Sequence, residues 1–128
     1  MKVLLDTHVF IWLDNDPDKL SAKAAQICAD SSNLLLLSLA SVWEMQIKTQ
    51  LGKLKLPAPL PQIVGNQVTT NRIQLLRIEL SHIFALSNLP QQHRDPFDRL
   101  LIAQAQTEKA ILLTDDAQIA RYPISTTW

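Results

Sequence analysis

Short apolar runs with little polar alternation limit the fold of this chain more than any other feature. They lie at Val3–Leu5, Leu34–Leu37, Ile73–Ile78 and Ile111–Leu113. A strand with one face in water alternates apolar and polar side chains, whereas a strand buried on both faces is apolar throughout. These runs therefore predict a central parallel β-sheet with helices on both faces.

The segments between these runs are long enough for helices, and they lie at residues 21–29, 40–51, 60–72, 79–90 and 96–109. Ser21 is a typical N-cap, Gly52 follows a helix end, and Pro96 stands in a first helical turn. Residues 124–128 are predicted to add a final edge strand. Alternating strands and helices with right-handed crossovers predict an α/β domain.

The chain has the length and composition of one globular domain, residues 1–128. A chain of this length buries about two-thirds of the surface that it exposes when unfolded. Hydrophobic residues make up 47% and only two residues are Gly, which excludes a disordered chain or a loop-rich disulfide scaffold. Cys28 is the single cysteine, so it cannot form an internal disulfide.

Targeting and charge patterns favour a cytoplasmic protein without a strong electrostatic field. No apolar run approaches about 18 residues, and no signal peptide pattern is present, so we expect no membrane association. Lys plus Arg number 12 and Asp plus Glu number 12. If this chain binds phosphate groups, it must therefore concentrate its cations locally or recruit metal ions.

Asp6 and Glu44 are acids in unusual places. Asp6 stands between two apolar segments, where it either caps the segment from Thr7 to Leu13 or faces a cation. Glu44 lies in the apolar stripe of a predicted helix, with Ala40 and Ile47 on the same side. Alternatively, Glu44 lies at the margin of the stripe and forms an exposed ion pair with Lys48, worth about 0.3 to 0.5 kcal/mol.

Two further acidic groups lie at predicted helix starts. Asp95 before Pro96 is predicted to be an N-cap, and Asp98 then falls in the first turn, where it either closes a capping box or faces a cleft. Thr114 is predicted to cap a helix whose first turn holds Asp115 and Asp116.

Taken together, the acids indicate a common site. In a parallel sheet the carboxyl ends of the strands share one edge, and ligands bind there. Asp6, Glu44, Asp98 and Asp116 converging at that edge would repel one another unless a cation joined them. Carboxylate ligands favour Mg²⁺ or Mn²⁺ over zinc, and His8, His82 and His93 lack zinc-ligand spacing, so packing or surface positions are expected for them.

Four stretches resemble the signature blocks of PIN-domain ribonucleases, specifically the VapC-type toxins of bacterial toxin–antitoxin pairs. They are "LLDTHVFIWL", "SLASVWEMQIKTQLGKL", "HRDPFDRLLIAQA" and "LLTDDAQIARYP", in this order along nearly the whole chain.

The resemblance implies a PIN-like α/β domain with metal-dependent endoribonuclease activity, held inactive by a cognate VapB-like antitoxin, and a homodimer. It places the metal-binding and catalytic acids on Asp6, Glu44, Asp98 and Asp116. The neighbouring Asp115 leaves the choice of the fourth acid open. Thr114 would support the acids. Asp95 usually accompanies "PFDR" in such families, and we still interpret it as a helix cap.

An RNA substrate is expected to be single-stranded or in a loop. Lys48, Arg94 and Arg99 are local cations that would guide its backbone. A haloacid-dehalogenase-like phosphatase would need a second Asp where His8 stands, and a phosphoacceptor receiver domain would need a Lys placed differently from Lys109. A non-catalytic PIN-like module that only binds a partner is the remaining alternative.

Overall fold

The computed structural model describes residues 1–91 and 95–128. Its strands are β1 (Lys2–Leu5), β2 (Leu34–Ser38), β3 (Gln74–Leu76), β4 (Ile111–Leu113) and β5 (Thr126–Thr127). All pair in parallel, in the order β3-β2-β1-β4-β5. The predicted parallel sheet is confirmed.

The helices follow the strands along the chain. They are α1 (Thr7–Asn15), α2 (Ala22–Ala29), α3 (Leu39–Gln50), α4 (Leu60–Thr70), α5 (Leu80–Ala85), α6 (Pro96–Glu108) and α7 (Ala117–Ala120). Single 3₁₀ turns lie at Pro17–Lys19 and Leu86–Asn88. Among the described residues, none of the helices is long and apolar enough to cross a membrane.

Alternate strand residues fill two cores, one on each face of the sheet, because successive side chains of a strand point to opposite faces. On one face the cluster includes Leu4, Leu36 and Leu112 with Leu101 and Ile102 of α6. On the other face the cluster includes Val3, Leu5 and Leu37 with Phe10 of α1 and Met45 of α3. The prediction of helices on both faces is confirmed.

The predicted helix signals act where the sequence places them. The Ser21 hydroxyl accepts a hydrogen bond from the backbone N–H of Ala24 at 2.9 Å, which caps α2. Gly52 follows α3 with a φ of 72°, a left-handed conformation that suits glycine. Pro96 is the first residue of α6.

Several predicted elements are longer than the observed ones. The third strand was predicted at 73–78 and the last at 124–128, but β3 and β5 are shorter, since both lie at sheet edges and pair with one neighbour only. Helix α4 stops at Thr70, because Arg72 adopts a left-handed φ of 55° that cannot continue a right-handed helix. The helix predicted over 79–90 ends at Ala85 and continues as a 3₁₀ turn.

The α2 cap allows a direct stability test. Replacing Ser21 with Ala removes the acceptor for the Ala24 N–H, and we expect the free energy of unfolding to fall by about 1 kcal/mol. Urea denaturation measures the loss. Ser31→Ala, at an exposed position, is the matched control and should change stability by less than about 0.5 kcal/mol. Equal losses in both variants would show that the cap does not stabilise α2.

Candidate metal-binding site

The candidate site lies at the carboxyl end of the sheet, where the strand order reverses. From β1 the chain moves to β2 and β3 on one side, whereas β4 and β5 lie on the other. Asp6 follows β1 and Thr114 follows β4, and these strands are neighbours. The Asp6 N–H donates to the carbonyl of Leu113 at 3.1 Å, which carries the pairing to the strand ends. This is the usual ligand-binding position in open α/β sheets.

Asp6 is buried, with only 4% of its surface exposed. It precedes α1, but its side chain makes no capping hydrogen bond, so the helix-cap interpretation of Asp6 is wrong. Its Oδ2 instead accepts a hydrogen bond from the Thr114 hydroxyl at 2.7 Å. Burial raises the pKa of Asp6, whereas the Thr114 hydroxyl and the nearby His8 act in the opposite direction.

Thr114 supports two acids rather than capping a helix. Its hydroxyl donates to Asp6 and also accepts from the backbone N–H of Asp116 at 3.1 Å. The residue that caps α7 is Asp116, whose Oδ1 accepts from the N–H of Gln118 at 2.8 Å. The predicted Thr114 cap is therefore wrong, and Asp115 and Asp116 precede the helix instead of forming its first turn.

Glu44 is buried, with 3% of its surface exposed, which contradicts an exposed position at the stripe margin. Its Oε2 accepts a hydrogen bond from the Lys48 ammonium at 2.8 Å, so the predicted pair itself is present. Its buried Oε1 has no hydrogen-bond partner among the described residues. A buried carboxylate oxygen without a donor carries a large desolvation cost, and a cation is the group that would satisfy it.

Helix α6 brings further acids toward Lys48. The Asp95 carboxylate accepts from the N–H groups of Phe97 and Asp98, at 2.9 and 3.2 Å, which confirms the predicted cap. Asp98 is half-buried in the first turn. The hydrogen bond to Glu44 raises the pKa of Lys48, and the charges of Asp95 and Asp98 raise it further. Lys48 therefore lies within the electrostatic reach of acids from α3 and α6.

The predicted acids lie in two neighbouring sets. Asp6, Asp115 and Asp116 line one cavity of about 470 Å³, together with His8, Trp12 and Ala117. Glu44 is close enough to Asp6 for its charge to raise the pKa of that carboxyl, after burial as the main cause. Across residues 1–91 and 95–128, no group of three or more His, Cys, Asp or Glu side chains is close enough to hold a metal ion. The free Glu44 oxygen and the buried Asp6 nevertheless fit a bound cation.

A family model described as "PIN domain" matches residues 3–124, a span that contains every candidate acid. The chain belongs to the PIN-domain family. Proteins of this family are typically nucleases and generally use divalent metal ions. No match is found among curated proteins.

Solved structures share the fold of this PIN domain. VapBC2 from Rickettsia felis, bound to a promoter DNA fragment, aligns with a TM-score of 0.74 and 18% identity, covering 99% of this chain and 98% of that one. DNA-bound VapBC from Salmonella typhimurium aligns with a TM-score of 0.72 and 16% identity over 99% and 97% of the two chains. VapBC-1 from nontypeable Haemophilus influenzae gives 0.65 and 18%, with the same coverage.

The predicted guiding cations differ in what they contact. Arg99 donates hydrogen bonds to the carbonyls of Pro90 and Leu86 and to the Tyr122 hydroxyl, at 2.7, 3.3 and 3.2 Å. These bonds anchor the segment before α6 and give Arg99 a structural role. Lys48 binds Glu44. Arg94 and His93 lie outside the described residues, and guidance of RNA by any of these cations stays a prediction.

Sequence reasoning missed two hydroxyls of this PIN domain but anticipated the position of one imidazole. The Thr7 hydroxyl donates to Ser41 at 2.9 Å in a buried contact that joins α1 to α3 beside Asp6 and Glu44. Small polar residues adjacent to the acids were the available signal. His82 is fully buried and contacts the Glu79 N–H and the Glu108 carboxylate at 3.0 and 2.9 Å, which confirms a packing position.

The Thr114 hydroxyl is expected to stabilise the buried Asp6 carboxylate. Thr114→Val keeps the shape but removes the donor, and we expect the free energy of unfolding to fall by about 1 to 3 kcal/mol, whereas Thr114→Ser should retain most of the stability. Urea denaturation at neutral pH measures both.

Thr127→Val is the matched control, because the buried Thr127 hydroxyl has no partner among the described residues. Its removal should leave stability unchanged or raise it. A loss for Thr127→Val as large as that for Thr114→Val would contradict the role of the Asp6 hydrogen bond.

Proposed function

We propose that this PIN domain is a divalent-metal-dependent endoribonuclease that acts as the toxin of a toxin–antitoxin pair. The observation that carries the proposal is the buried Asp6 at the switch point beside the buried Glu44, whose Oε1 lacks a partner among the described residues. Two acids buried this closely repel each other, and a bound cation removes that repulsion. Membership of a family that is typically nucleolytic supports hydrolysis of a phosphodiester.

Asp6, Glu44, Asp98 and Asp116 would hold the metal, directly or through water, with Asp115 as the alternative to Asp116. Oxygen ligands of this kind suit Mg²⁺ or Mn²⁺. The bound metal would supply an activated water and neutralise charge on the phosphate oxygens. Thr114 fixes the Asp6 carboxylate by its hydrogen bond, and Asp95 holds the first turn of α6, which carries Asp98.

A metal at this position also accounts for an anionic substrate on a chain with equal numbers of acidic and basic residues. The phosphate would be held by the cation rather than by a broad basic face. The strongest RNA candidates are single strands and loops, because side chains do not reach base edges in the narrow groove of an RNA helix.

The structural neighbours suggest which proteins this chain would bind. Several solved chains with this fold belong to VapBC complexes, and one more is described as a toxin–antitoxin complex from Klebsiella pneumoniae. By analogy we propose a VapB-like antitoxin as the inhibitor of this chain, a homodimeric toxin and action in the cytoplasm.

A cleavage assay tests the nuclease directly. The protein, purified without antitoxin, should cut structured RNA in Mg²⁺ or Mn²⁺, and both EDTA and Asp6→Asn should abolish cutting, because each removes the metal or its ligand. Asp18→Asn, at an exposed position in the 3₁₀ turn that follows α1, is the matched control and should keep full activity. Cleavage that survives EDTA and Asp6→Asn would overturn the metal-dependent mechanism.

The opposing candidate is a PIN-like module that binds a partner without catalysis. The Lys48 ammonium bound to Glu44 favours it, because this cation already pairs with one of the candidate metal ligands. On the nuclease proposal, Lys48 neutralises the acids until a metal replaces it.

Lys48 therefore offers a second test. Lys48→Met leaves Glu44 without its cation, so the metal-free protein should be less stable, and Mg²⁺ should raise its melting temperature more than it raises that of the wild type. Lys53→Met, at an exposed position just after α3, is the control and should respond to Mg²⁺ like the wild type. Thermal unfolding with and without Mg²⁺ measures both. A shift in Lys48→Met no larger than in the wild type would favour the non-catalytic module.

A further inference from the structure

The cavity beside Asp6 has a lining that metal binding does not explain. Besides the acids, His8 and Trp12 of α1 form its wall. Its volume of about 470 Å³ falls within the range of small-molecule pockets, about 300 to 1,000 Å³. A metal ion with its waters would fill a small part of this space, so the cavity has room for part of the substrate.

Among the described residues, no ring stacks parallel to the Trp12 indole. The ring of Trp128 is inclined by 59° with a centroid distance of 5.8 Å, and the ring of His8 by 42° at 6.1 Å. Both neighbours hold the indole in place without stacking parallel to it. Trp12 is only half-buried and borders the cavity, so part of its side chain is exposed to the cavity.

The charged residues that line this cavity determine which part of an RNA molecule binds there. Asp6, Asp115 and Asp116 contribute carboxylates, and among the described lining residues there is no Lys or Arg. The proposed cation would hold the phosphate beside Asp6, but no Lys or Arg of the described lining would hold a second phosphate beside Trp12. A nucleobase is uncharged, has a flat face for the indole, and has ring N–H or amino groups that donate hydrogen bonds to carboxylates.

A second cavity, of about 360 Å³, continues from the first and shares Asp115, Asp116 and Ala117 with it. Lys23 and Trp128 line this continuation. Lys23 is the kind of group that contacts a phosphate one or more nucleotides away from the cleaved bond. A single strand lying in the second cavity would pass these shared residues before it reached Asp6.

We propose that the cavity of Asp6 and Trp12 holds one unpaired nucleobase of the RNA substrate, stacked on the Trp12 indole next to the cleaved phosphodiester. This inference rests on the proposed nuclease function. It assigns substrate selection to α1, and it requires the nucleotide at the cleavage position to be unstacked, which confines cleavage to single strands and loops.

The test measures binding without cleavage. A fluorescein-labelled single-stranded oligoribonucleotide, spanning a position that the wild-type protein cuts, is titrated by anisotropy with the full-length Asp6→Asn protein. Adding Trp12→Ala should weaken binding by about 5-fold or more, the loss expected from one stacked base, while Trp12→Phe should retain most of the affinity. Phe84→Ala is the matched control, since this exposed aromatic side chain lies on α5 and does not line the cavity.

A substrate-side measurement keeps the test decisive even where Trp12→Ala fails to fold, because Trp12 packs against Trp128. Abasic nucleotides are placed one at a time along the same oligoribonucleotide. One position beside the cleaved bond should weaken binding of the Asp6→Asn protein by about 5-fold or more. Where Trp12→Ala folds, the two changes combined should be no worse than either alone.

Three results would count against the inference. If the wild type cuts RNA but neither Trp12→Ala nor any abasic position weakens binding, the base site is wrong and the nuclease function stands. If Trp12→Ala loses a co-purifying antitoxin but keeps its RNA affinity, the cavity belongs to a protein partner. If the wild type cuts no RNA in Mg²⁺ or Mn²⁺, the proposed function itself fails, and the base site with it.

Discussion

The hydrogen bond from Thr114 to Asp6 is the interaction on which the site depends. It joins the ends of the neighbouring strands β1 and β4, and it supplies a donor to a carboxylate that burial would otherwise make costly. The same hydroxyl orients Asp116 through its backbone N–H. The strand order of the sheet therefore determines the geometry of the site, because Asp6 and Thr114 meet only when β1 and β4 are neighbours.

The contacts of Lys48 explain how a chain with equal numbers of acidic and basic residues keeps several acids near one another. Lys48 binds Glu44 and lies within reach of the charges of Asp95 and Asp98. One ammonium shared by α3 and α6 lowers the repulsion among these groups. It leaves the Oε1 of Glu44 without a hydrogen-bond partner in the described part of the chain. The proposed metal ion would satisfy this oxygen.

The sequence predicted the sheet, the helix caps at Ser21 and Asp95 and the position of Asp6 at a strand end, because each depends on local pattern or on the geometry of parallel strands. It left open whether Glu44 lies in the apolar stripe or exposed at its margin, since burial at a stripe margin depends on which helices pack against it. The contact of Trp12 with Trp128 was also beyond prediction, because residues from opposite ends of the chain meet only after the sheet forms.

An acid that caps a helix can also belong to a common site with the other acids, so the two interpretations are compatible. In a parallel α/β sheet, the strands end and the helices begin at the same edge. The free backbone N–H groups at the helix N-termini therefore lie close to the side chains of the residues that follow the strands. Asp95 and Asp116 are caps, and both also lie near the other acids. The cap bonds hold their carboxylates in place. If the proposed metal site exists, a residue that begins a helix at this edge is already oriented for cation binding, so the stabilising role and the proposed chemical role would share one geometric cause.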